Sequence, residues 1–369
     1  MVADADRSPV DLALDRRHFV AASLALVLAG GCFAAWVGLD VGGNTATLWF
    51  DDVATPLAAL LACVLCVRAR SRQPAEMRRF WTLLALATAS WTAAEIIWGY
   101  YALILNVAVP EPSWADVGYL GAIPLAVAAL VAHPATRGSG SRTRKARRMF
   151  EALLVATSLL FLSWTLVLGA LWRSTDLSTL GGIVSIAYPF GDVVIVFFIV
   201  LAIRGMSGED RLPLWCLLGG LMAMAISDST FTYLADTSSY TSPGLVDTGW
   251  VVAYLGIALS AFSAGSARVR VAAVERATPS LASLVAPIAP VLIALAVAAV
   301  ETRLGDHIGR PAWLMVFALV VLVLTRQGLA VVELLDHGRD GGRGLMTRIT
   351  DAALGDGAGG PHGGPGSVF

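Results

Sequence analysis

The chain has 369 residues, of which 57% are hydrophobic and 14% charged, with a mean hydropathy of +0.71. Soluble domains carry charge on about a quarter of their residues, so this composition excludes a soluble globular protein and predicts an all-α, polytopic membrane protein. The net charge of −1 says nothing about partners, because the basic residues are sorted along the chain rather than scattered.

Residues 1–17 are polar and mixed in charge and read as a disordered cytoplasmic tail. The first apolar span is Phe19–Leu39. Arg16-Arg17-His18-Phe19 before it and Cys32 within it imitate a twin-arginine lipoprotein signal. A lipobox wants a large aliphatic residue three before the cysteine, and Ala29 stands there, so the expectation is an uncleaved helix. A window of about 20 residues marks nine more spans, at 48–67, 80–105, 114–133, 150–171, 183–203, 212–234, 245–265, 281–300 and 311–326. The four cysteines (Cys32, Cys63, Cys66, Cys216) lie in apolar runs. Cys63-x-x-Cys66 has no second pair and reads as packing.

Of the 26 basic residues, 23 fall in the two terminal segments or in alternate loops; the opposite loops hold only Arg173, Arg303 and Arg310. The positive-inside rule then predicts ten helices in five antiparallel hairpins, in the cell membrane, with both termini cytoplasmic. The membrane domain covers residues 18–328. Residues 329–369 form a short helical extension, with Leu329, Val332 and Leu335 on one stripe, and a tail. Gly338, Gly341, Gly342 and Gly344 are expected to break that helix, and the Gly-rich tail to be disordered. No room is left there for a soluble catalytic domain.

Hairpin-level similarity recurs along the chain. Aligning the third span with the seventh sets Glu95, Trp98 and Tyr100 against Asp228, Phe231 and Tyr233. Both acids come out about 22 Å from the cytoplasmic end of a ~30 Å apolar layer. The even spans carry Asp52, Asp116, Asp192 and Asp247 near their outer ends. Tyr188-Pro189-Phe190-Gly191-Asp192 echoes Pro112-Ser113-Trp114-Ala115-Asp116, and Asp116/Tyr119 matches Asp247/Trp250. Pro189 should free a backbone carbonyl and kink its helix beside Asp192.

An ionised carboxylate inside a span costs ~2.5–3.5 kcal/mol even on insertion scales, so each acid is a functional candidate. No Lys or Arg lies within these spans. Charge balance therefore has to come from Arg173, from Tyr and Trp donors, or from a bound cation. Ser113-x-x-Asp116 also fits a helix-capping box, and Asp247 and Asp52 read as first-turn acids favoured by the helix dipole. Glu95, Asp228 and Asp192 lie too deep for capping, which leaves a binding role or interhelical hydrogen bonding. Trp91, Glu95 and Trp98 share one helix face, suited to an organic cation or a proton site, although Trp98 also suits an interfacial belt.

Other chemistry is not signalled. The five histidines (His18, His133, His307, His337, His362) are scattered at interfaces and tails. There is no phosphate loop and no Ser/His/Asp set on one membrane face. The expectation is a protein that is not an enzyme and has no cofactor or metal. The basic run Arg142–Arg148 suits an anionic membrane surface rather than nucleic acid.

The Trp91–Tyr100 helix, Pro112–Asp116 with Tyr119-Leu120 and Pro124-Leu125, Tyr188–Asp192, Asp228 and the Asp247/Trp250 helix together resemble one family. It is the membrane-embedded N-terminal sensor region of actinobacterial diguanylate cyclases and phosphodiesterases, which make or degrade cyclic di-GMP. The resemblance covers residues 20–330. It implies a membrane part that senses a signal and passes it on through the segment that begins at Thr325-Arg326-Gln327. No Gly-Gly-Asp-Glu-Phe or Glu-Ala-Leu module follows, so cyclase activity is not implied. The resulting expectation is a multi-pass sensor whose cluster of Glu95, Asp116, Asp192, Asp228 and Asp247, with Trp91, detects a cation, proton or small ligand. Its candidate partners are the lipid bilayer, a separate cytoplasmic signalling protein and a second copy of the chain. The alternative is a proton- or cation-coupled small-molecule transporter.

Overall fold

The computed structural model describes residues 9–110, 112–137, 142–169, 172, 178–206, 211–236, 240, 242–266, 289–304 and 309–355, and their regular structure is entirely helical. In chain order the helices are α1 (Pro9–Gly38), α2 (Asn44–Arg72), α3 (Ala75–Gly99), α4 (Trp114–Ala132), the single turn α5 (Pro134–Arg137) and α6 (Arg142–Ser163). After them come α7 (Leu180–Gly205), α8 (Leu212–Asp236), α9 (Asp247–Ser266), α10 (Ala289–Leu304) and α11 (Arg310–Gly355). Helix is what apolar segments of this length must form in lipid, because only a helix satisfies every backbone N–H and C=O from within the segment.

Eight helices among the described residues are long and apolar enough to cross a membrane: α1 from Arg17, α2, α3 with its extension to Ile104, α4, α7, α8 to Ala235, α9 to Ala264, and α11 to Val332. The chain is therefore a polytopic helical membrane protein. The two other expected spans take a different form. Expected span 150–171 falls on α6, whose first turns are the basic run from Arg142, and which loosens into a π-helical turn at Trp164–Leu168. Expected span 281–300 falls on α10, whose 16 residues reach about 24 Å against a ~30 Å layer; residues 281–288 lie outside those described.

Both ends depart from the expected tails. Helix α1 begins at Pro9, not after residue 17. Proline suits a first helical position, and the Asp11–Asp15 stretch has carboxylates and good helix formers where a helix N-terminus favours them. Helix α11 runs 46 residues, through all four glycines expected to stop it. A helical glycine costs only ~1 kcal/mol and removes no hydrogen bond, so glycines alone do not end a helix that apolar residues carry on either side. Residues 1–8 and 356–369 lie outside the described part.

Packing closes six helices into a ring. Helix α2 packs on α3, α3 on α4, α4 on α7, α7 on α8, α8 on α9, and α9 back on α2. The ring is two three-helix units in the same direction, α2–α3–α4 and α7–α8–α9, which sets α2 opposite α7, α3 opposite α8 and α4 opposite α9. This corrects one sequence equivalence: Tyr188–Asp192 of α7 corresponds by position to α2, not to the Pro112–Asp116 start of α4. Outside the ring, α1 lies on α9, while α6 lies on α7 and also packs on α10 and α11.

Small residues let the paired helices approach closely in both units. A β-carbon on Gly118 would sit 2.8 Å from Ala94 Cβ and 3.0 Å from the Ser90 carbonyl, and one on Gly249 would strike Ser227 and approach the Ala223 carbonyl. Ser90 donates to the Gly118 carbonyl (2.7 Å) and Ser227 to that of Val246 (2.9 Å). The two glycine contacts correspond under the alignment that pairs Glu95 with Asp228 and Asp116 with Asp247, whereas the two serine bonds do not, since Ser90 aligns with Ala223 and Ser227 with Ala94. At the ends away from those acids the ring is filled by Phe80, Trp81, Leu84, Leu130, Ile199, Leu217 and Ile257, all buried.

Candidate functional site

A cavity of about 120 Å³ opens at the other end of the ring, lined by residues of all six helices. Glu95, Asp116, Asp192, Asp228, Asp247 and Trp91, the residues singled out from sequence, all face it, and so do Asp51 and Asp52. Its described lining includes no Lys, Arg or His. Arg173, weighed above as a counter-ion, lies outside the described residues. Seven carboxyl groups thus share a small space with tyrosines and tryptophans.

Each unit builds its part of the site in the same way. In α4, Asp116 closes a capping box: its Oδ2 accepts the Ser113 backbone N–H at 2.6 Å, and the Ser113 hydroxyl accepts from the Ala115 N–H. In α9, Asp247 Oδ2 accepts the Gly244 N–H at 2.7 Å, three residues back as in α4. Both carboxylates turn their second oxygen to a tyrosine, Asp116 to Tyr188 and Asp247 to Tyr240. Capping and cavity lining are therefore one arrangement, and each Asp does both. Burial, with Asp247 alongside, pushes the pKa of Tyr240 up, so this hydroxyl in the connector to α9 stays a donor.

The deeper pair follows the same logic. Glu95 on α3 is 8% exposed and accepts from Tyr254 of α9 at 2.7 Å, with Tyr119 of α4 as a further hydrogen-bond partner. Its counterpart Asp228 on α8 accepts the Trp250 indole N–H of α9 at 2.6 Å. Trp98 and Phe231, also counterparts, meet with ring centroids 6.2 Å apart. Trp98 lines the cavity. Trp91 is buried, with its ring 6.2 Å from that of Tyr254.

Asp52 and Asp192 differ from these four. Asp52 is not a first-turn acid as expected from sequence, because α2 starts at Asn44 and places it two turns inside. It is 9% exposed, and its Oδ2 is buried without a hydrogen-bond partner among the described residues. Asp192 is 8% exposed and its Oδ2 is likewise unpartnered. Pro189, one turn earlier inside the unbroken α7, has no N–H for the carbonyl of Ser185, a residue that also lines the cavity. Asp51 lies against Asp247 within hydrogen-bonding reach; two carboxyls hold such a contact only with a proton or a cation between them.

Comparison with family models, with curated proteins and with solved structures yields no match. The chemistry of the site is therefore carried by its own geometry. Among the described residues no three His, Cys, Asp or Glu side chains converge as a metal ion requires. The acids are spaced around an aromatic wall instead, and ring faces beside carboxylates attract organic ammonium groups.

Several lining residues were not singled out from sequence. Asp51 was hidden by its neighbour, since adjacent helical residues point about 100° apart and periodicity alone does not choose between them. Tyr254 could have been found, because Asp247, Trp250 and Tyr254 recur at the i, i+3, i+7 spacing of one helix face. A second buried polar cluster was also missed. Glu151 of α6 binds Arg204 of α7 through Oε2 at 3.2 Å and Arg326 of α11 through Oε1 at 3.1 Å, and Arg326 is 1% exposed. Glu151 and Arg326 sit beside runs of basic and polar residues that resemble solvated loop charges.

Proposed function

We propose that this chain is a multi-pass sensor of the cell membrane that binds a cation in the acidic, aromatic cavity and reports occupancy through its C-terminal helix. The observation that carries the proposal lies on α7. Asp192 lines the cavity and keeps one buried carboxylate oxygen without a hydrogen-bond partner among the described residues. Twelve residues on, about 18 Å along the helix, Arg204 grips the same Glu151 that holds Arg326 of α11. A cation that draws Asp192 inward acts on the helix whose far end is clasped to the exit helix. The resemblance of Trp91–Tyr100, Pro112–Asp116 and Tyr188–Asp192 to the input region of cyclic di-GMP enzymes supports the same role. The distribution of Lys and Arg supports an orientation with the cavity outside and both termini cytoplasmic, where α11 would meet a separate signalling protein.

The transporter alternative needs a polar route through both halves of the membrane. Beyond the cavity the ring is packed with Phe80, Trp81, Leu84, Ile199, Leu217 and Ile257, which favours a dead-end receptor. No nucleophile–base pair is proposed, and the chain is taken as non-enzymatic.

The test uses the full chain in nanodiscs, with spin labels on α6 and on α11 beyond residue 340. Ammonium salts should change the α6–α11 distance distribution, and Asp192→Asn should abolish that change while the protein stays folded. An unaltered distribution, together with amine uptake above that of empty vesicles in proteoliposomes, would replace the sensor with the transporter.

A further inference from the structure

Of the seven carboxyl groups at the cavity, five have partners among the lining residues: Glu95, Asp116, Asp228 and Asp247 take Tyr, Trp and backbone donors, and Asp51 takes a hydroxyl from Thr55 at 3.3 Å and the contact with Asp247. The remaining two, Asp52 and Asp192, are each more than nine-tenths buried, and Oδ2 of each has no partner among the described residues. Their positions are related. Asp52 is on α2 and Asp192 on α7, and these helices stand opposite each other in the ring, three steps apart in either direction. The lining of the same cavity includes Trp91, Tyr119, Ile123, Ile195 and Tyr254, aromatic and aliphatic groups that suit methylenes.

From this juxtaposition we infer that the cavity takes a ligand with an ammonium group at each end of a short aliphatic chain, an α,ω-diamine or the diamine portion of a longer polyamine, held between Asp52 and Asp192. A single ammonium ion satisfies one of the two carboxylates and leaves the opposite one buried without a partner. A charged acceptor left unmatched inside a protein costs more than a neutral one, so a two-ended ligand gains twice where a one-ended ligand gains once. Trp91 and Tyr254 line the same cavity, and aromatic rings favour an alkyl chain bearing positive ends. Recognition is then a matter of length: the chain has to span the ring without folding. The inference rests on the cation-binding function proposed above and adds the identity of the ligand class.

The experiment titrates the full-length protein in nanodiscs with α,ω-diamines from ethylene- to hexamethylenediamine and with the monoamine of matching length for each. Indole emission is the readout, since three tryptophans line the cavity. One diamine length should bind at least about tenfold tighter than its monoamine, with weaker binding on either side of that length. Asp52→Asn and Asp192→Asn should each reduce that diamine to the affinity of its monoamine, with thermal unfolding confirming that the variants fold. Equal affinity for diamine and monoamine at every length would overturn the two-ended ligand and leave the cation site standing. No response to any ammonium ion would remove the cation site itself. A diamine preference that survives both substitutions would place the second ammonium elsewhere and overturn the pairing of Asp52 with Asp192.

Discussion

Tyr254 of α9 donates its hydroxyl to Glu95 of α3 at 2.7 Å, although α3 and α9 are separated in the ring by α2 on one side and by α4, α7 and α8 on the other. The bond therefore crosses the cavity wall and ties the two repeat units together. Interhelical hydrogen bonds in membranes average ~0.6 kcal/mol and reach ~1.7. Tyr254→Phe should cost about 1 kcal/mol of unfolding free energy, toward the upper part of that range, because Glu95 is buried. Glu95→Gln should cost less, since an amide oxygen still accepts. A double-mutant cycle in detergent checks this; strict additivity of the two changes would show that the bond is not formed.

Helix α4 approaches α3 through Gly118, where a β-carbon would lie 2.8 Å from Ala94 Cβ and 3.0 Å from a carbonyl oxygen. Gly118→Ala should destabilise by ~1–3 kcal/mol through overpacking, and Ala94→Gly in the same chain should restore part of the loss. Gly121, one turn on, supplies the control. A β-carbon there meets only Ser90 Oγ, at 3.6 Å, so Gly121→Ala should be neutral or stabilising by up to ~1 kcal/mol from helix propensity. Thermal unfolding of the three variants settles the ordering, and a Gly121→Ala loss equal to that of Gly118→Ala would refute the close approach.

Much of this architecture is legible in the sequence because lipid leaves an apolar segment few options. The pairing of Glu95 with Asp228 is legible for a related reason: a buried acid is costly, so its recurrence at matching depth stands out against Leu, Val and Ala. What is not legible is which helix stands beside which. Ring order decides that the helix of Asp52 stands opposite that of Asp192 and that α7 corresponds to α2, and no one-dimensional pattern encodes it. Glu151 is hidden for the opposite reason from Glu95. It follows a basic run, where an acid looks solvated, and only the packing of α6 between α7 and α11 buries it.

His133 caps α4 just beyond its span, with Nδ1 accepting the Ala135 N–H at 3.2 Å and the ring edge-on to Phe80. Burial lowers its pKa from 6.5 to about 4, and the accepting Nδ1 requires the neutral ring. Above pH 6.5 both folded and unfolded forms are neutral and the contribution to stability is complete. As the pH falls from 6.5 to 4, the unfolded state takes up a proton that the folded state does not, and up to roughly 3 kcal/mol is lost. His133→Asn keeps an acceptor near the Nδ1 position but cannot titrate. It should therefore flatten the difference in melting temperature between pH 7 and pH 4.5; an unchanged difference would mean that His133 is not the group responsible.

Glu151 satisfies two arginines at once, and that asymmetry makes the clasp testable. Its side chain is 4% exposed, that of Arg326 1% and that of Arg204 22%. Glu151→Ala leaves Arg326 buried with its charge uncompensated by Glu151, a loss of about 3–5 kcal/mol for a broken buried pair. Arg326→Met should cost clearly less, since Glu151 keeps Arg204, and Arg204→Ala less again, because a partly exposed guanidinium is screened by solvent. Replacing Glu151 and Arg326 together by Leu and Met should recover most of the stability lost in Glu151→Ala, as apolar packing often substitutes for a buried ion pair without loss. In the sensor reading, that double variant has a second consequence. Fold and amine binding persist, but the ammonium-dependent change in the α6–α11 distance disappears, because the electrostatic link between α7 and α11 is gone. A double variant that binds amine and still moves α11 would show that the signal passes by another route, such as the direct packing of α6 on α7.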